Sequence, residues 1–235
     1  TFFYGDPMKD TTPRSGTSSL WIFGYPVTLG ARQSLGLRCF PYACVISSLS
    51  IIASSNYDDD IRQLSQKHLI MPEKFSNFLN LYGGFWAYPS FLSIVASSSD
   101  TKEQKTDKLL FASSTIGITI ATTYLLKITT HRLRPDESNW RSFPSGHTSG
   151  SFALAAIGKK LYGKDIGRLL YAVASFVGAQ RVHSNKHWFT DVIAGATLGT
   201  IIGRGFSSAF HSLEMDSSDK EALPEIYFHF SLPIQ

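Results

Sequence analysis

Residues 144–154 read PSGHTSGSFAL, and this stretch predicts a loop that enters a helix at a functional site. A Pro-Ser-Gly loop enters a helix of small residues at His147, and a helix start offers free backbone N–H groups and a positive dipole. The stretch therefore predicts a phosphate site, with Gly146 allowing close approach of the backbone and the Ser145 hydroxyl as a further donor. Taken alone, it also fits an N-cap serine followed by an unrelated histidine.

Two cations and a proline precede this stretch, in the order Lys127, Arg134 and Pro135. Lys127 and Arg134 are separated by about two helical turns, so we expect both on one face of a long helix over 102–133. That helix should stop before Pro135, because proline disfavours helical backbone in the residue before it. The helix dipole alone also favours cations near a helix C-terminus, so this motif has a purely structural interpretation as well.

A third motif follows in the order Arg181, His187 and Asp191. His187 and Asp191 have the i, i+4 spacing, which predicts that they share one face of a helix over 187–208. A carboxylate one turn away can accept a hydrogen bond from one imidazole nitrogen and leave the other nitrogen free as a nucleophile. On its own, the motif fits a surface His–Asp pair at least as well.

The combination of the three motifs within residues 127–191 favours chemistry over the structural alternatives. Two arginines and one lysine would neutralise a phosphate dianion and the additional charge of its transition state. Two histidines would supply a nucleophile and an acid. No metal and no cofactor is required by this set of residues.

The composition is that of one globular domain. The chain has 235 residues, of which 43% are hydrophobic and 17% charged, with a formal net charge of +4. We expect an all-α fold, a single-domain bundle of about six to eight helices. The basic residues form no continuous stripe, so we expect no nucleic-acid partner, and the mild positive charge suits an anionic substrate.

Changes in composition divide the chain into three parts. Residues 1–38 are predicted to be an irregular lead-in, 39–211 a helical domain with its motif-bearing core at 85–207, and 212–235 a linker and a short irregular or extended C-terminal tail. Cys39 and Cys44 are expected to be small buried residues rather than a disulfide.

Three charge-free windows raise the question of a membrane: residues 39–57, 75–99 and 109–126. Proline or glycine interrupts the first two, and the third contains six serines and threonines. Because a spanning helix needs about 20 predominantly apolar residues, we expect buried helices of a soluble bundle. The first residue is not methionine, which fits a removed signal peptide, so the expected location is periplasmic or secreted, with at most peripheral membrane contact.

The three motifs together resemble those of the type 2 phosphatidic acid phosphatase superfamily, which includes bacterial acid phosphatases, glucose-6-phosphatase and vanadium-dependent haloperoxidases. The resemblance covers residues 85–207. One position departs from the family pattern: the third motif usually opens with Ser-Arg, whereas here it reads Gln180-Arg181. The arginine is retained, but a contact made by a serine at position 180 is not available.

The resemblance implies a phosphohistidine mechanism. His187 would attack phosphorus, Asp191 would hold its ring, and His147 would protonate the leaving group and then activate water. His187 must start neutral and His147 protonated, which implies a bell-shaped pH–rate profile. The phosphate oxygens would be bound by Lys127, Arg134, Ser145, Gly146 and Arg181.

The resemblance further implies a phosphatase that acts on phosphate monoesters, with a lipid phosphate, an isoprenyl diphosphate or a small phosphomonoester as the partner. A vanadate-dependent haloperoxidase is the alternative within the same fold, although such enzymes are generally much longer chains. An inactive phosphate- or lipid-binding relative is a further alternative. The aromatic residues in 82–88 fit either an apolar entrance for a lipid tail or an ordinary core.

Overall fold

The computed structural model describes residues 30, 32–35, 48, 52, 55–68 and 71–218, with side chains up to residue 211. Seven helices follow one another from Asp58 to Ser218, and the described part of the chain contains no strand, so the predicted all-α fold is confirmed. The helices are α1 Asp58–His68, α2 Glu73–Gly83, α3 Ala87–Ala96, α4 Lys102–Thr130, α5 Gly146–Tyr162, α6 Lys164–His183 and α7 Phe189–Ser218.

Helix α5 forms the centre of the bundle and packs against α4, α6 and α7. The small residues that follow His147 are the reason: Ala153, Ala155 and Ala156 are buried, so neighbouring helices approach the α5 backbone closely. The closest approach is at Gly199 of α7, where a Cβ atom would lie 2.1 Å from the carbonyl oxygen of Ser149. The sequence PSGHTSGSFAL thus sets both the start of α5 and the helix spacing around it.

Gly199→Ala is expected to destabilise the protein, because the added methyl group meets backbone that cannot move aside as a side chain would. Overpacking of this kind typically costs about 1–3 kcal/mol, which should lower the midpoint of thermal unfolding in detergent by several degrees. Gly117→Ala is the matched control, since a Cβ there has no atom within 4 Å. Equal midpoints for the two variants would contradict this account of the packing.

The ends of two helices differ from the sequence-based expectation. Helix α4 ends at Thr130 rather than near residue 133, because His131 adopts a left-handed backbone conformation with φ 48° and closes the helix. Arg134 therefore lies in the loop after α4 and does not share a helix face with Lys127. Likewise α7 begins at Phe189, so His187 lies in the turn before the helix that carries Asp191.

Helix α4 contains the third charge-free window and is long and apolar enough to cross a membrane. Two of its buried hydroxyl groups are satisfied by the helix backbone: Thr115 donates to the carbonyl of Phe111, and Thr119 to that of Thr115, each at 2.7 Å. Only 39% of its most apolar window is buried. The large apolar side chains that it exposes are Ile120, Tyr124, Leu125 and Ile128.

Several sequence-based expectations fall outside the described residues. These include the disposition of Cys39 and Cys44 and the form of residues 219–235. Within the predicted irregular lead-in, residue 30 and residues 32–35 are helical. Helix α7 continues to Ser218, beyond the end predicted for it at 208.

Candidate active site

The three motifs meet at one end of the bundle, where α4 and α6 end and α5 and α7 begin. The backbone N–H of Ser145 donates to the carbonyl of Asp191 at 3.0 Å, which joins the start of α5 to that of α7. The carbonyl of Arg181 accepts from the backbone N–H of His187 at 3.2 Å, which joins the end of α6 to the same place. Motifs that lie far apart in the sequence are therefore held together by backbone hydrogen bonds.

His187 is the more buried of the two histidines of the site, with only 2% of its surface exposed. Its Nδ1 lies 3.6 Å from Oδ2 of Asp191, which is too long for a hydrogen bond but close enough for a strong electrostatic interaction. This carboxylate favours a proton on Nδ1, which leaves Nε2 unprotonated. The arrangement gives His187 the tautomer that a nucleophile needs.

The Asp191 carboxylate is fixed by several donors. Its Oδ2 accepts a hydrogen bond from the Ser142 hydroxyl and a second from the backbone N–H of Trp188 at 2.9 Å. Its Oδ1 accepts from Nη1 of Arg132 at 2.7 Å. Burial raises the pKa of Asp191, but contacts with His187, Arg132 and Ser142 outweigh burial and lower it, so the carboxylate stays ionised.

Arg134 and Arg181 each present a buried Nε–H group that has no hydrogen-bond partner among the described residues. Buried donors are rarely left unpaired in folded proteins. Nη1 of Arg181 donates to Oδ1 of Asn80 at 2.6 Å and to Oε1 of Gln180 at 3.3 Å, so these neighbours orient the guanidinium. Two guanidinium groups with unpaired Nε–H donors among the described residues suit an anion such as phosphate.

Lys127 and the start of α5 form another side of the site. Nζ of Lys127 donates to the carbonyl oxygens of Pro144 at 2.6 Å and Arg141 at 2.8 Å, so the lysine also holds the loop that leads into α5. Ser145 is buried and accepts a hydrogen bond from the Thr148 hydroxyl at 2.9 Å, which leaves its own proton available to a ligand. Gly146 is the first residue of α5, so the helix begins one residue before the start predicted for it at His147.

Both histidines are neutral at ordinary pH in the free protein. Burial lowers the pKa of His187 to about 4 despite the opposing effect of Asp191. Burial, together with the nearby charges of Arg181, Arg134 and Lys127, lowers the pKa of His147 to about 3. The neutral state agrees with the role proposed for His187, whereas the expectation of a protonated His147 fails for the free protein.

Binding of an anion should restore the proton on His147. A phosphate dianion beside these cations offsets their charge and favours the imidazolium form, so we expect the pKa of His147 to rise by about two to three units, back toward its ordinary value. The measurement is an NMR titration of ¹³C-labelled histidines in detergent, with and without orthovanadate. A His147 pKa near 6.5 in the free protein, or one that vanadate leaves unchanged, would contradict this explanation.

An apolar cleft of about 240 Å³ opens beside His147 and Lys127. It runs between α4 and the turn joining α2 to α3, and Gly84 in that turn lies close to His147: a Cβ there would be 3.7 Å from Nε2. The larger side chains that line it are Phe85, Tyr88, Ile120 and Tyr124. The aromatic stretch 82–88 thus contributes to the entrance of the site, although Trp86 lies outside this cleft.

The structure also adds residues that the motifs did not indicate. Lys186 forms a salt bridge with Asp136 at 2.6 Å and ties the turn before α7 to the loop after α4. Burial would raise the pKa of Asp136, but hydrogen bonds from Lys186 and Ser138 outweigh it and hold the pKa at about 2. Others that contact motif residues are Asn80, Arg132, Ser142 and Gln180, and Asp58 is joined to Asp191 through Arg132. Only Gln180 stood out in the sequence, as a departure from the family pattern.

Comparison with known proteins agrees with this geometry. Residues 108–214, which contain all three motifs, match the family model described as the PAP2 superfamily. The lipid A 1-phosphatase of Porphyromonas gingivalis is 43% identical over 75 residues. That alignment covers 31% of this chain but only 17% of the relative, so this chain spans a small part of its length.

Two solved structures share the fold. The crystal structure of Aquifex aeolicus LpxE aligns with a TM-score of 0.53 and 23% identity, covering 61% of this chain and 90% of that one. The first transmembrane PAP2 type phosphatidylglycerolphosphate phosphatase, from Bacillus subtilis, aligns with a TM-score of 0.56 and 21% identity, covering 83% and 97%. At these identities the likeness concerns the fold.

The expectation of a soluble periplasmic or secreted protein is wrong. The fold is shared with a transmembrane phosphatase, and α4 has the length and composition of a membrane-crossing helix. Both findings point to a membrane protein. The serines and threonines of residues 109–126 do not exclude a membrane-crossing helix, because helix carbonyls can accept hydrogen bonds from their hydroxyls, as they do from Thr115 and Thr119.

Proposed function

Since residues 108–214 belong to the PAP2 superfamily, we propose that this protein is a membrane phosphatase that hydrolyses the phosphate monoester of a lipid through a covalent phosphohistidine. The observation that carries the proposal is the convergence of the buried His187 and the half-buried His147 with two guanidinium groups whose Nε–H donors are unpaired among the described residues. Cations aimed at the position of a transferring phosphoryl group stabilise its transition state.

The first step transfers the phosphoryl group to His187. Its Nε2 lone pair attacks phosphorus and forms a P–N bond while the ester P–O bond breaks. The leaving alkoxide takes a proton from the imidazolium form of His147, which the bound phosphate has stabilised. Asp191 stabilises the positive charge that develops on the His187 ring.

The second step regenerates the enzyme. Water attacks phosphorus and transfers a proton to His147, which is now neutral and able to act as a base. The P–N bond breaks, its electron pair returns to Nε2 of His187, and inorganic phosphate leaves. Arg134, Arg181, Ser145 and the first N–H groups of α5 bind the oxygens in both steps.

The apolar cleft supports a lipid as the substrate. It begins at His147 and Lys127 and continues along the exposed apolar side of α4, so a phosphate at the histidines would place an attached acyl chain against Phe85, Ile120 and Tyr124. Burial of apolar chain surface contributes about 25 cal/mol per Å². The names of the similar proteins suggest two headgroups to compare, a glycolipid 1-phosphate and phosphatidylglycerol phosphate.

The test uses the full chain purified in detergent. Phosphate release is measured from a lipid A-type glycolipid 1-phosphate, phosphatidylglycerol phosphate, phosphatidate and p-nitrophenyl phosphate. We expect turnover of at least one lipid phosphate that resists a chelator and is blocked by vanadate. Vanadate or phosphate binding without any turnover would indicate an inactive relative and overturn the proposal.

A variant of the cleft tests the lipid chain separately from the chemistry. The variant is Phe85→Ala, because Phe85 lines the cleft and is 73% exposed. We expect KM for the lipid phosphate to rise about threefold to tenfold, with p-nitrophenyl phosphate hydrolysis unchanged. Phe176→Ala is the control, because Phe176 is also exposed but lies on α6 outside the cleft. Equal effects on both substrates would argue against a chain in this cleft.

A further inference from the structure

Arg132 lies between two buried carboxylates that come from opposite ends of the described chain. Its Nη1 donates to Oδ1 of Asp191 at 2.7 Å, and its Nη2 donates to Oδ2 of Asp58 at 2.7 Å. Asp58 and Asp191 are almost completely buried. One planar guanidinium therefore spans both acids, which an ammonium group could not do with the same geometry.

Asp58 makes further contacts with the start of α7. Its Oδ1 accepts from the backbone N–H of Thr190 at 3.0 Å, and its Oδ2 accepts from the Thr190 hydroxyl at 2.7 Å. The first residue of α1 therefore caps α7 from outside that helix and joins the residue next to Asp191.

We propose that Asp58 and Arg132 form a brace that positions the Asp191 carboxylate toward His187. This inference rests on the proposed function, in which His187 is the nucleophile. Both members of the brace are positioning residues, because neither reaches the reacting atoms except through Asp191 and His187. Asp58 lies outside residues 108–214, so the brace joins a segment beyond the matched family region to the reaction.

The division of hydrogen bonds between the two carboxylate oxygens explains how the brace works. Arg132 binds Oδ1, while Ser142, the backbone N–H of Trp188 and the His187 ring lie on the Oδ2 side. Without Arg132, the Oδ1 side loses its charged donor and the carboxylate can rotate about its Cβ–Cγ bond. Rotation would weaken the preference for a proton on Nδ1 of His187 and reduce the fraction of rings ready to attack.

Single substitutions at Arg132 and Asp58 test whether each member of the brace contributes to catalysis. Arg132→Met should lower kcat for the lipid phosphate about 10- to 100-fold, the size of effect typical of losing a supporting partner, with KM changed by less than about twofold. Asp58→Asn should lower kcat about fivefold to tenfold, since it keeps the shape but removes the charge that orients Arg132. Arg132→Lys should fall between Arg132→Met and the wild type. The matched controls Asp59→Asn and Arg168→Met alter exposed residues and should change neither constant.

A double variant distinguishes positioning from a general effect on the fold. If Arg132 acts through Asp191, then Arg132→Met added to Asp191→Asn should lower kcat by less than about threefold beyond Asp191→Asn alone. Full additivity of the two losses would overturn the brace. Thermal unfolding in detergent identifies variants that fail to fold; should Arg132→Met do so, Arg132→Lys and Asp58→Asn provide the same comparison.

The outcomes also separate the brace from the proposed function. If His187→Ala and Asp191→Asn lose activity while Arg132→Met and Asp58→Asn keep the wild-type kcat, the brace is wrong and the phosphohistidine proposal survives. If His187→Ala keeps full activity, the proposed function fails whatever the brace variants do.

Discussion

His187→Ala is expected to abolish turnover, lowering kcat by about 10⁴-fold or more, the scale seen when a covalent nucleophile is removed from a preorganised site. His187 is buried, carries an orienting carboxylate 3.6 Å from Nδ1, and is held by a backbone hydrogen bond to the carbonyl of Arg181. Its low pKa keeps the ring neutral above about pH 4. In the proposed mechanism, loss of this side chain removes the step that forms the phosphoenzyme.

The measurement is steady-state hydrolysis combined with rapid quenching and detection of acid-labile, base-stable phosphoprotein. His187→Ala should form none. His147→Ala should still form it from p-nitrophenyl phosphate, whose leaving group needs little protonation, but should hydrolyse it slowly. His68→Ala at the exposed end of α1 is the control and should behave as the wild type. Wild-type turnover in His187→Ala would rule out the phosphohistidine mechanism.

The sequence predicted the residues that meet at the site because the three motifs are short and local. It also predicted the start of α5, since a Pro-Ser-Gly turn before small residues is a local signal. Local spacing was less reliable where the backbone departs from a helix. The left-handed conformation of His131 places Arg134 in a loop, and a turn separates His187 from α7. Periodicity assumes continuous helix and cannot indicate such breaks.

The contacts that support the site could not be read from the sequence. Asp58 and Arg132 are 74 residues apart, and Arg132 is 59 residues from Asp191. No periodic pattern links positions at such distances, because their proximity depends on how α1 and α7 pack. The membrane-crossing character of α4 could not be predicted for a different reason. Composition shows that hydroxyl groups are present but not whether helix carbonyls accept hydrogen bonds from them, as they do from Thr115 and Thr119.

Arg181→Met is expected to lower kcat/KM about 10²- to 10³-fold, which is the usual effect of removing one donor to a transition-state oxyanion. Arg181 is only 6% exposed, and Asn80 and Gln180 orient its guanidinium while Nε has no partner among the described residues. Methionine keeps the length and apolar stem of the side chain. The loss should therefore come from the missing donors rather than from an empty space.

Arg181→Lys separates charge from geometry. A lysine keeps the positive charge but cannot present two parallel donors, so we expect a smaller loss of about 10-fold to 100-fold and a clear weakening of vanadate inhibition. Arg168→Met on the same helix is the control, because its side chain is 77% exposed and pairs only with the exposed Asp165 among the described residues. A kcat/KM for Arg181→Met within twofold of the wild type would show that the donors of this arginine do not bind the phosphoryl group. The contact of Arg181 with His187 is made by its backbone carbonyl, which both substitutions retain, so the position of the nucleophile should be preserved. The difference in kcat/KM between Arg181→Lys and Arg181→Met should therefore report on phosphate binding alone.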